Sequence, residues 1–542
     1  MAAAGFAGEA PTQHDLVIIG AGFSGLYMLH RARDLLGLDA VVFEAGAGVG
    51  GTWYWNRYPG ARCDSESYYY SYSFSEELEQ EWEWTSKYPA QPEILRYLEH
   101  VADRFDLRRN IRFDSRVESA VLDEDTLRWT VRTDGGEEVS AQFLVSAVGC
   151  LSAANVPDIP GLDQFDGEWF HTGRWPHDGV DFGGKRVGLI GTGSTGIQAA
   201  PVIAAEAAHL TVFQRTPNYT VPARNAPLTP ERAAEIKATY PAIREHARNS
   251  YGGFPFDPSG RSALEVTQDE RRATYEALWE EGGFKFLFGS FYDLLVSEEA
   301  NDTAAEFIRG KIREVVADPQ VAEILAPRDH PYGSKRPPID TNYFETFNRS
   351  NVSLVDLRAT PIEEITAEGV RTTAAEHSLD MIVFATGFDA MTGALLRMDI
   401  RGRDGRSLRE KWAAGPRTYL GLQVAGFPNL FTITGPGSPS VLSNMPVSIE
   451  QHVEWIADCI THLRSSGAAG IEATPEAEEA WVEHVAEIAG LTLFSKASSW
   501  YLGANIPGKT RVFMPYVGGV ATYRQRCDEV AAQGYEGFAI SA

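Results

Sequence analysis

The stretch "DLVIIGAGFSGLYMLH", residues 15–30, decides the fold of this chain. Its apolar residues 16–19 predict a short buried strand, and the apolar spacing that follows predicts a helix that ends near Leu36. Between strand and helix lies a G-x-G-x-x-G turn made by Gly20, Gly22, Ser24 and Gly25. Such a turn lets a pyrophosphate approach the free N–H groups of a helix N-terminus. Glycines also occur in tight turns that bind no ligand, so the neighbouring sequence is needed to decide whether this turn binds a nucleotide.

The strand that follows this helix supports a nucleotide site. Residues 40–43 predict a second apolar strand, and it ends in Glu44. Glu44 follows Gly25 by nineteen residues, close to the spacing at which this fold places an acid to accept a hydrogen bond from a ribose hydroxyl. The first motif therefore predicts a nucleotide with a free 2′-hydroxyl.

A second motif, "KRVGLIGTGSTGIQAA", occupies residues 185–200. It predicts a strand over 187–190 and a helix that continues to about Ala208. The turn between them consists of Gly191, Thr192, Gly193, Ser194, Thr195 and Gly196. The next strand delivers Arg215, nineteen residues after the last glycine, followed by the hydroxyl of Thr216. A guanidinium can grip a 2′-phosphate with two N–H donors, so this motif predicts NADP(H) rather than NAD(H).

The opposite charges of Glu44 and Arg215 indicate FAD in the first site and NADPH or NADP⁺ in the second. We predict an α/β fold with two Rossmann-like dinucleotide-binding domains. Buried strands at 143–149 and 381–384 mark two crossings between them. The predicted division comprises the first part of the FAD domain at 1–150, the NADP domain at 151–385 with a helical subdomain at about 225–330, and the second part of the FAD domain, with substrate-pocket and lid segments, at 386–542.

Composition excludes several classes of protein. The 542 residues carry a formal net charge of −26, which opposes nucleic acid and anionic membranes as partners. Residues 1–15 lack a basic region followed by an apolar core, and no stretch is long and apolar enough to span a membrane, so a cytoplasmic monomer is expected. The four cysteines have neither C-x-x-C nor metal-ligand spacing, which predicts no metal site and argues against a disulfide reductase.

Two further segments carry a family resemblance. "FDGEWFHTGRWP", residues 165–176, contains the pattern formed by Phe165, Gly167, His171, Trp175 and Pro176. "GGTWYWNRYPGARCD", residues 50–64, contains Gly51, Trp53, Tyr58, Pro59, Gly60 and Asp64 in register with a second pattern. Taken alone, the first segment would be a surface loop with a packed tryptophan. Together with the two nucleotide motifs, these segments resemble the type I Baeyer–Villiger monooxygenases over nearly the whole chain.

This resemblance implies an enzyme that uses FAD, NADPH and O₂ to insert one oxygen atom beside a ketone carbonyl through a flavin C4a-peroxide. In matching positions, Arg336 resembles the catalytic arginine, Asp64 its carboxylate partner and Lys335 a second ligand of the 2′-phosphate. Without the resemblance, the Lys-Arg pair before two prolines would be a solvated loop. His171 and Trp175 are implied to lie in a linker between the domains, where they position the NADP domain.

The resemblance also implies contacts with the cofactors and the substrate. The implied flavin contacts are Gly51, Thr52, Trp53, Tyr54, Tyr70 and Met445. Trp500 resembles a residue that folds over NADP⁺, and Ser440, Val441, Leu442 and Met445 resemble the lining of a substrate pocket. Such an apolar pocket predicts a hydrophobic ketone, with sulfides as further substrates. As bare sequence, these residues would be core packing.

The segment before position 445 also predicts the start of a long helix. Val453, Ile456 and Ile460 recur at helical spacing, Asn444 is suited to cap the N-terminus, and Pro446 suits the first turn.

Two other functions remain open at this point. A flavin-containing monooxygenase that oxygenates amines or sulfides has the same nucleotide folds, but it works with an electrophilic hydroperoxide and does not need an arginine at position 336. A nucleotide-binding redox sensor explains both glycine motifs, but not the arginine-bearing loop.

Replacing Arg215 by alanine tests the assignment of the second nucleotide. We expect KM for NADPH to rise on the order of tenfold, because a hydrogen bond to a charged group contributes about 1.5–3 kcal/mol. KM for NADH should change little. Steady-state kinetics with both nucleotides would check this, and equal weakening of the two would contradict the 2′-phosphate assignment.

Overall fold

The computed structural model describes residues 11–542 of the chain. The expected absence of an export signal rests largely on residues outside this range. Within the described residues the strands are β1 (Thr12–Ile19), β2 (Ala40–Phe43), β3 (Ile111–Arg112), β4 (Val117–Asp123), β5 (Arg128–Thr133), β6 (Glu138–Ser146), β7 (Glu168–His171), β8 (Arg186–Ile190), β9 (His209–Gln214), β10 (Val221–Pro222), β11 (Ile339–Asp340), β12 (Val352–Asp356), β13 (Ile362–Thr366), β14 (Gly369–Thr372), β15 (Glu376–Ser378), β16 (Met381–Phe384), β17 (Asp399–Arg401), β18 (Leu430–Thr432), β19 (Gly470–Ala473) and β20 (Phe538–Ser541).

The α-helices of the same range are α1 (Phe23–His30), α2 (Thr52–Trp55), α3 (Glu76–Glu81), α4 (Gln91–Arg104), α5 (Ser194–Glu206), α6 (Pro230–Asn249), α7 (Gln268–Glu281), α8 (Lys285–Phe288), α9 (Glu298–Val315), α10 (Pro319–Leu325), α11 (Tyr343–Thr346), α12 (Gly393–Arg397), α13 (Leu408–Lys411), α14 (Met445–Ser466), α15 (Pro475–Gly490) and α16 (Val520–Ala532). None of the helices in the described part of the chain is long and apolar enough to cross a membrane.

The first motif forms the centre of an eight-stranded sheet in the order β17-β4-β5-β6-β1-β2-β3, with β18 also paired to β6. Strands β6, β1, β2 and β3 are parallel, whereas β4, β5 and β6 form an antiparallel meander. Successive side chains of β1 point to opposite faces. Leu16 and Ile18 therefore pack with α1 and α14 on one face, and Val17 and Ile19 join a separate core on the other.

The second motif forms the centre of a parallel five-stranded sheet in the order β12-β9-β8-β16-β7. The segment 168–171 is an edge strand of this sheet, with His171 opposite Phe384 of β16. The expectation that His171 lies in an interdomain linker is therefore wrong. Its segment gave no sign of a strand because it lacks alternation of apolar and polar residues. The pairing comes instead from the buried neighbour β16.

Helices replace strands between β10 and β11. The predicted helical subdomain consists of α6 to α10, and these helices pack around a core rich in aromatic side chains. A three-stranded antiparallel sheet, β13-β14-β15, covers the other face of the second sheet. This arrangement leaves the carboxyl ends of the parallel strands free, which is where α/β sheets bind ligands.

The long helix α14 begins after Asn444, as predicted, and Val453 and Ile456 are fully buried. The predicted capping bond is absent. The Asn444 side chain instead donates to the Tyr69 carbonyl at 2.7 Å, because that carbonyl lies against the helix N-terminus.

Truncating the buried face of α14 should destabilise the first domain. Ile456→Ala removes a fully buried side chain, and such changes cost about 2–5 kcal/mol through lost contacts and a residual cavity. We expect thermal unfolding at a temperature several degrees below that of the parent. Thr461→Ala, on the exposed face of the same helix, is the control and should leave the unfolding temperature nearly unchanged. Equal unfolding temperatures for Ile456→Ala and the parent would contradict this packing.

Candidate active site

A cavity of about 1780 Å³ joins the two glycine turns at the carboxyl ends of β1 and β8. The structure brings most of the expected site residues to its wall. These are Gly20, Gly22, Ser24, Glu44, Gly51, Thr52, Trp53, Asp64, Tyr70, Trp175, Gly191, Thr192, Gly193, Ser194, Thr195, Arg215, Thr216, Lys335, Arg336, Val441, Met445 and Trp500.

The first turn depends on glycine for its shape. Gly20 has a φ of +103°, and a Cβ on Gly25 would lie 1.8 Å from the Gly20 carbonyl oxygen. Gly25 therefore holds α1 against β1 and does not itself reach the cavity wall. The first helix N–H groups, at Phe23 and Ser24, stay directed at the cavity end of the strand, where an anion is stabilised.

Glu44 both supports this turn and faces the cavity. One carboxylate oxygen accepts from the Ala21 N–H at 2.8 Å and the other from the Gly46 N–H at 2.7 Å. Burial raises the pKa of Glu44, and these backbone N–H groups partly counteract the shift. Each oxygen retains a second lone pair, so the carboxylate can also accept from a ribose hydroxyl.

The second turn leaves space for a ligand. A Cβ on Gly193 would meet no heavy atom within 4 Å, so protein packing does not require glycine there. Gly193 precedes α5, and no side chain caps the N-terminus of that helix. The open backbone and the uncapped N–H groups fit the pyrophosphate of a dinucleotide. Gly196 packs α5 against β8, as a Cβ there would lie 2.1 Å from the Gly191 oxygen.

Cations gather where the second nucleotide would carry its 2′-phosphate. Arg215 is exposed and lines the cavity beside Thr216 and Lys335. Burial lowers the pKa of Lys335, Asp329 raises it, and the positive charges of Arg215 and Arg358 lower it further. A bound phosphate would relieve this repulsion between neighbouring cations.

Asp64 and Arg336 meet inside the cavity, although 272 positions separate them in the sequence. The guanidinium Nη2 lies 3.7 Å from the Asp64 Oδ2, and the Asp64 side chain is 5% exposed. Gln198, on α5, donates to the other carboxylate oxygen at 3.2 Å. Burial raises the pKa of Asp64 to about 6, with Arg336 and Gln198 opposing that shift.

Arg336 is held from two further sides. Its Nη1 donates to the Val441 carbonyl at 3.3 Å, and its guanidinium carbon lies 5.2 Å from the centroid of the Phe284 ring. Asn218 donates to the Arg336 backbone carbonyl at 3.2 Å. The side chain remains 30% exposed, so it can still contact a molecule in the cavity.

Aromatic side chains form other parts of the wall. The Trp53 indole N–H donates to the Tyr70 hydroxyl at 3.3 Å, and their rings meet edge to face.

Trp500 lies on the segment that follows residue 498. Lys509 ties this segment to the Asp389 carboxylate at 2.5 Å, and Asn505 donates to the Phe388 carbonyl at 2.7 Å.

Besides Gly25 and Gly196, three predicted contacts do not line this large cavity. The Tyr54 hydroxyl accepts from the Ala47 N–H at 3.1 Å, and the ring packs on the neighbouring glycines. Ser440 is fully buried and donates to the Thr434 carbonyl at 3.1 Å. Leu442 lines a separate, smaller cavity beside Arg336. Tyr54 and Ser440 therefore do not border the large cavity in this structure, and their contacts with flavin and substrate stay predictions.

The segment 165–176, which carries the first family pattern, has a packing role in the structure. A Cβ on Gly167 would lie 2.4 Å from the Asp380 oxygen, close to the ring of Phe165. His171 is buried, its Nδ1 accepts from the Gly173 N–H at 3.0 Å, and burial lowers its pKa to about 4. Trp175 packs near Phe182 and borders the cavity, with Pro176 directly after it.

Sequence reasoning missed Gln198 and Phe284. Gln198 also accepts from the Tyr58 hydroxyl at 2.7 Å and donates to the Arg62 carbonyl at 3.2 Å, so it binds the whole 58–64 segment. The sequence feature that could have identified Gln198 is its position two residues after the last glycine of the second turn. Phe284 lies in the helical subdomain and gave none.

Comparison with known proteins decides the family. Residues 17–250 match a family model described as "Pyridine nucleotide-disulphide oxidoreductase". A protein named "Baeyer-Villiger monooxygenase" from Pseudooceanicola batsensis is 49% identical over 523 residues, covering 96% of this chain and 95% of the relative. The chain belongs to the Baeyer–Villiger monooxygenases. The family predicted from the segments 50–64 and 165–176 is confirmed.

Solved structures of similar proteins agree. An oxidized steroid monooxygenase bound to NADP is 60% identical, with a TM-score of 0.94, covering 98% of this chain and all (100%) of that one. An OTEMO complex with FAD and NADP is 44% identical, with a TM-score of 0.95 and the same coverage. The predicted α/β fold, the enzyme class of an NADPH-dependent monooxygenase and the two cofactors are thereby confirmed. The four cysteines are free and buried.

The raised pKa of Asp64 gives this Baeyer–Villiger monooxygenase a testable pH dependence. Below about pH 6 the carboxyl is protonated and no longer attracts Arg336, whereas above it the ionised form holds the guanidinium. We expect kcat/KM for a ketone to rise with pH through about 6. Asp64→Asn should lower the plateau and abolish that rise, and a variant that keeps the same rise would contradict the assignment.

Proposed function

We propose that this protein uses FAD, NADPH and O₂ to insert one oxygen atom next to the carbonyl of a hydrophobic ketone, giving an ester or lactone. The observation that supports this most strongly is the buried Asp64 beside Arg336 in the cavity that joins both nucleotide turns. The division into an FAD domain at 1–150 and 386–542 and an NADP domain at 151–385 forms part of the proposal.

The residues present fit both cofactors. FAD would lie on the first turn with Glu44 at its ribose, and with Trp53, Tyr70 and Met445 along the wall. NADPH would lie on the second turn, with Arg215 and Lys335 at its 2′-phosphate. When bound, NADPH would supply the hydride that reduces FAD, and the reduced FAD would activate O₂.

Arg336 supplies a permanent positive charge where the ketone oxygen becomes negative. A guanidinium does not lose its proton at working pH, so it stabilises that charge without a proton transfer. Asp64 and the Val441 carbonyl fix the orientation of the guanidinium before substrate arrives. Such preorganisation avoids a reorganisation cost during the reaction.

The segment around Trp500 forms part of the wall of the cavity that joins the two turns. Its bonds to residues 388–390 hold it in that position. A closed wall excludes water from the reacting groups, which protects an activated oxygen from release as hydrogen peroxide. We propose that Trp500 covers the nicotinamide nucleotide.

The side chains near Arg336 indicate the class of substrate. Phe284 packs on the guanidinium, Val441 borders both cavities, and Leu442 lines the smaller one. An apolar surround of this kind favours an uncharged, hydrophobic ketone, with sulfides as secondary substrates. A monomer in the cytoplasm is part of the same proposal.

A flavin-containing monooxygenase for amines or sulfides is the alternative. It does not account for a preorganised cation at position 336, and the relatives do not favour it. A redox sensor without turnover leaves the Asp64–Arg336 pair unexplained.

Arg336→Ala tests the proposed role directly. Ester formation from phenylacetone should fall at least on the order of a hundredfold, because removing one preorganised charge-stabilising donor costs about 10²–10³ in rate. Oxidation of NADPH should continue and release hydrogen peroxide. Product analysis and peroxide assay would measure both.

The matched control is Arg328→Ala, a half-exposed arginine on the same stretch of chain that pairs with Glu323. It should form ester at the parental rate. Undiminished ester formation by Arg336→Ala would show that the catalytic assignment is wrong.

A further inference from the structure

A second cavity, of about 30 Å³, has Arg336 in its wall. The rest of that wall is almost entirely apolar, and it includes Phe284, Phe288, Leu295 and Phe494. A volume of ~30 Å³ is about the share of one water molecule in the liquid. No ketone fits there in this state, so some part of the wall must move before an apolar substrate can occupy it.

One part of the wall lies where two distant segments of the chain meet. Residues 291–298, in the helical subdomain, meet residues 491–496 of the C-terminal region, and we call this contact the junction. The Leu493 N–H donates to the Leu295 carbonyl at 2.8 Å. Lys496 pairs with Glu298 across the junction, with side chains that are 47% and 63% exposed. Because an exposed ion pair contributes little, the main resistance to separating the two segments is the packing of Leu295 against the cluster that contains Phe494.

The outer surface of the junction is unusually apolar. Among residues 11–542, nine large apolar side chains are exposed, and three of them belong to these two segments. Tyr292 is 54% exposed, Val296 53% and Leu491 70%. Leu295, next to Val296, is partly exposed and also lines the small cavity. An apolar path therefore leads from the surface through Leu295 to Arg336.

Bound cofactors would narrow the large cavity as a route for a ketone. Both nucleotide turns line that cavity, so two bound dinucleotides would occupy part of it. A ketone that arrives while both are bound would pass through the space that remains or through another opening near Arg336.

We propose that the junction is the opening through which ketone substrates reach Arg336, and that Leu295 closes it. This inference rests on the proposed function. The exposed apolar side chains collect a hydrophobic ketone from water, and separation of the two segments enlarges the small cavity to admit it. The junction therefore contributes to substrate selection, because larger ketones require wider opening.

A reversible cross-link tests the opening. The hydrogen bond between the Leu493 N–H and the Leu295 carbonyl brings these two residues into the range of Cα separations, about 4.4–6.8 Å, that a disulfide can span. In the FAD-loaded Leu295→Cys/Leu493→Cys variant, the oxidised form should lose on the order of tenfold or more of kcat/KM for phenylacetone. Reduction of the disulfide should restore it, and the rate of flavin reduction by NADPH should be the same in both forms. The four native cysteines are buried, which favours selective oxidation of the new pair.

A surface variant provides an independent test. Leu491→Asp places a charge at the opening and should raise KM for phenylacetone with little change in kcat. Leu35→Asp is the matched control, because Leu35 is 57% exposed and lies outside the junction, and its KM should equal that of the parent.

Equal kcat/KM in the oxidised and reduced forms of the cross-linked variant would overturn this inference. If the disulfide does not form, an unchanged KM for phenylacetone in Leu491→Asp would be sufficient to overturn the inference. Failure of the proposed function looks different, because the parent enzyme itself would then form no ester from phenylacetone. If only the inference about the junction is wrong, the parent enzyme still forms ester from phenylacetone.

Discussion

The buried carboxylate of Asp64 is the constraint on which the rest of the site depends. Asp64 is the last residue of the segment 58–64 in the first nucleotide domain. It accepts a hydrogen bond from Gln198, on the first helix of the second domain, and faces Arg336 on a third segment. Three distant parts of the chain must therefore be in place before the carboxylate has partners. Without those partners, the cost of burying its charge would keep it protonated.

Local placement of charge explains how a strongly acidic protein binds two anionic dinucleotides. The chain carries a net charge of −26, yet Arg215 and Lys335 stand together at the second site. The two glycine turns add the partial positive charge of uncapped backbone N–H groups. Glu44 lies at the equivalent position of the first site, where we propose that it meets a ribose hydroxyl rather than a phosphate. In this proposal the two nucleotide units distinguish their ligands through a single side chain after the second strand of each unit.

Local features of the fold were predictable, and long-range contacts were not. The strands at 40–43 and 381–384 occur with the predicted bounds, because apolar runs beside glycine turns specify them locally. The segment 168–171 was taken for a linker because only its neighbour β16 makes it a strand. The meeting of Asp64 with Arg336 came from family resemblance, while Gln198 was missed, since contacts between domains leave no periodic signal in the sequence.

Isotope labelling tests the central claim most directly. Purified holoenzyme would turn over phenylacetone with NADPH under ¹⁸O₂, and the products would be analysed by mass spectrometry. The account predicts benzyl acetate that carries one labelled oxygen atom. Consumption of NADPH with hydrogen peroxide and no ester from this or other hydrophobic ketones, together with oxygenation of a sulfide, would contradict it and favour an electrophilic oxygen donor instead.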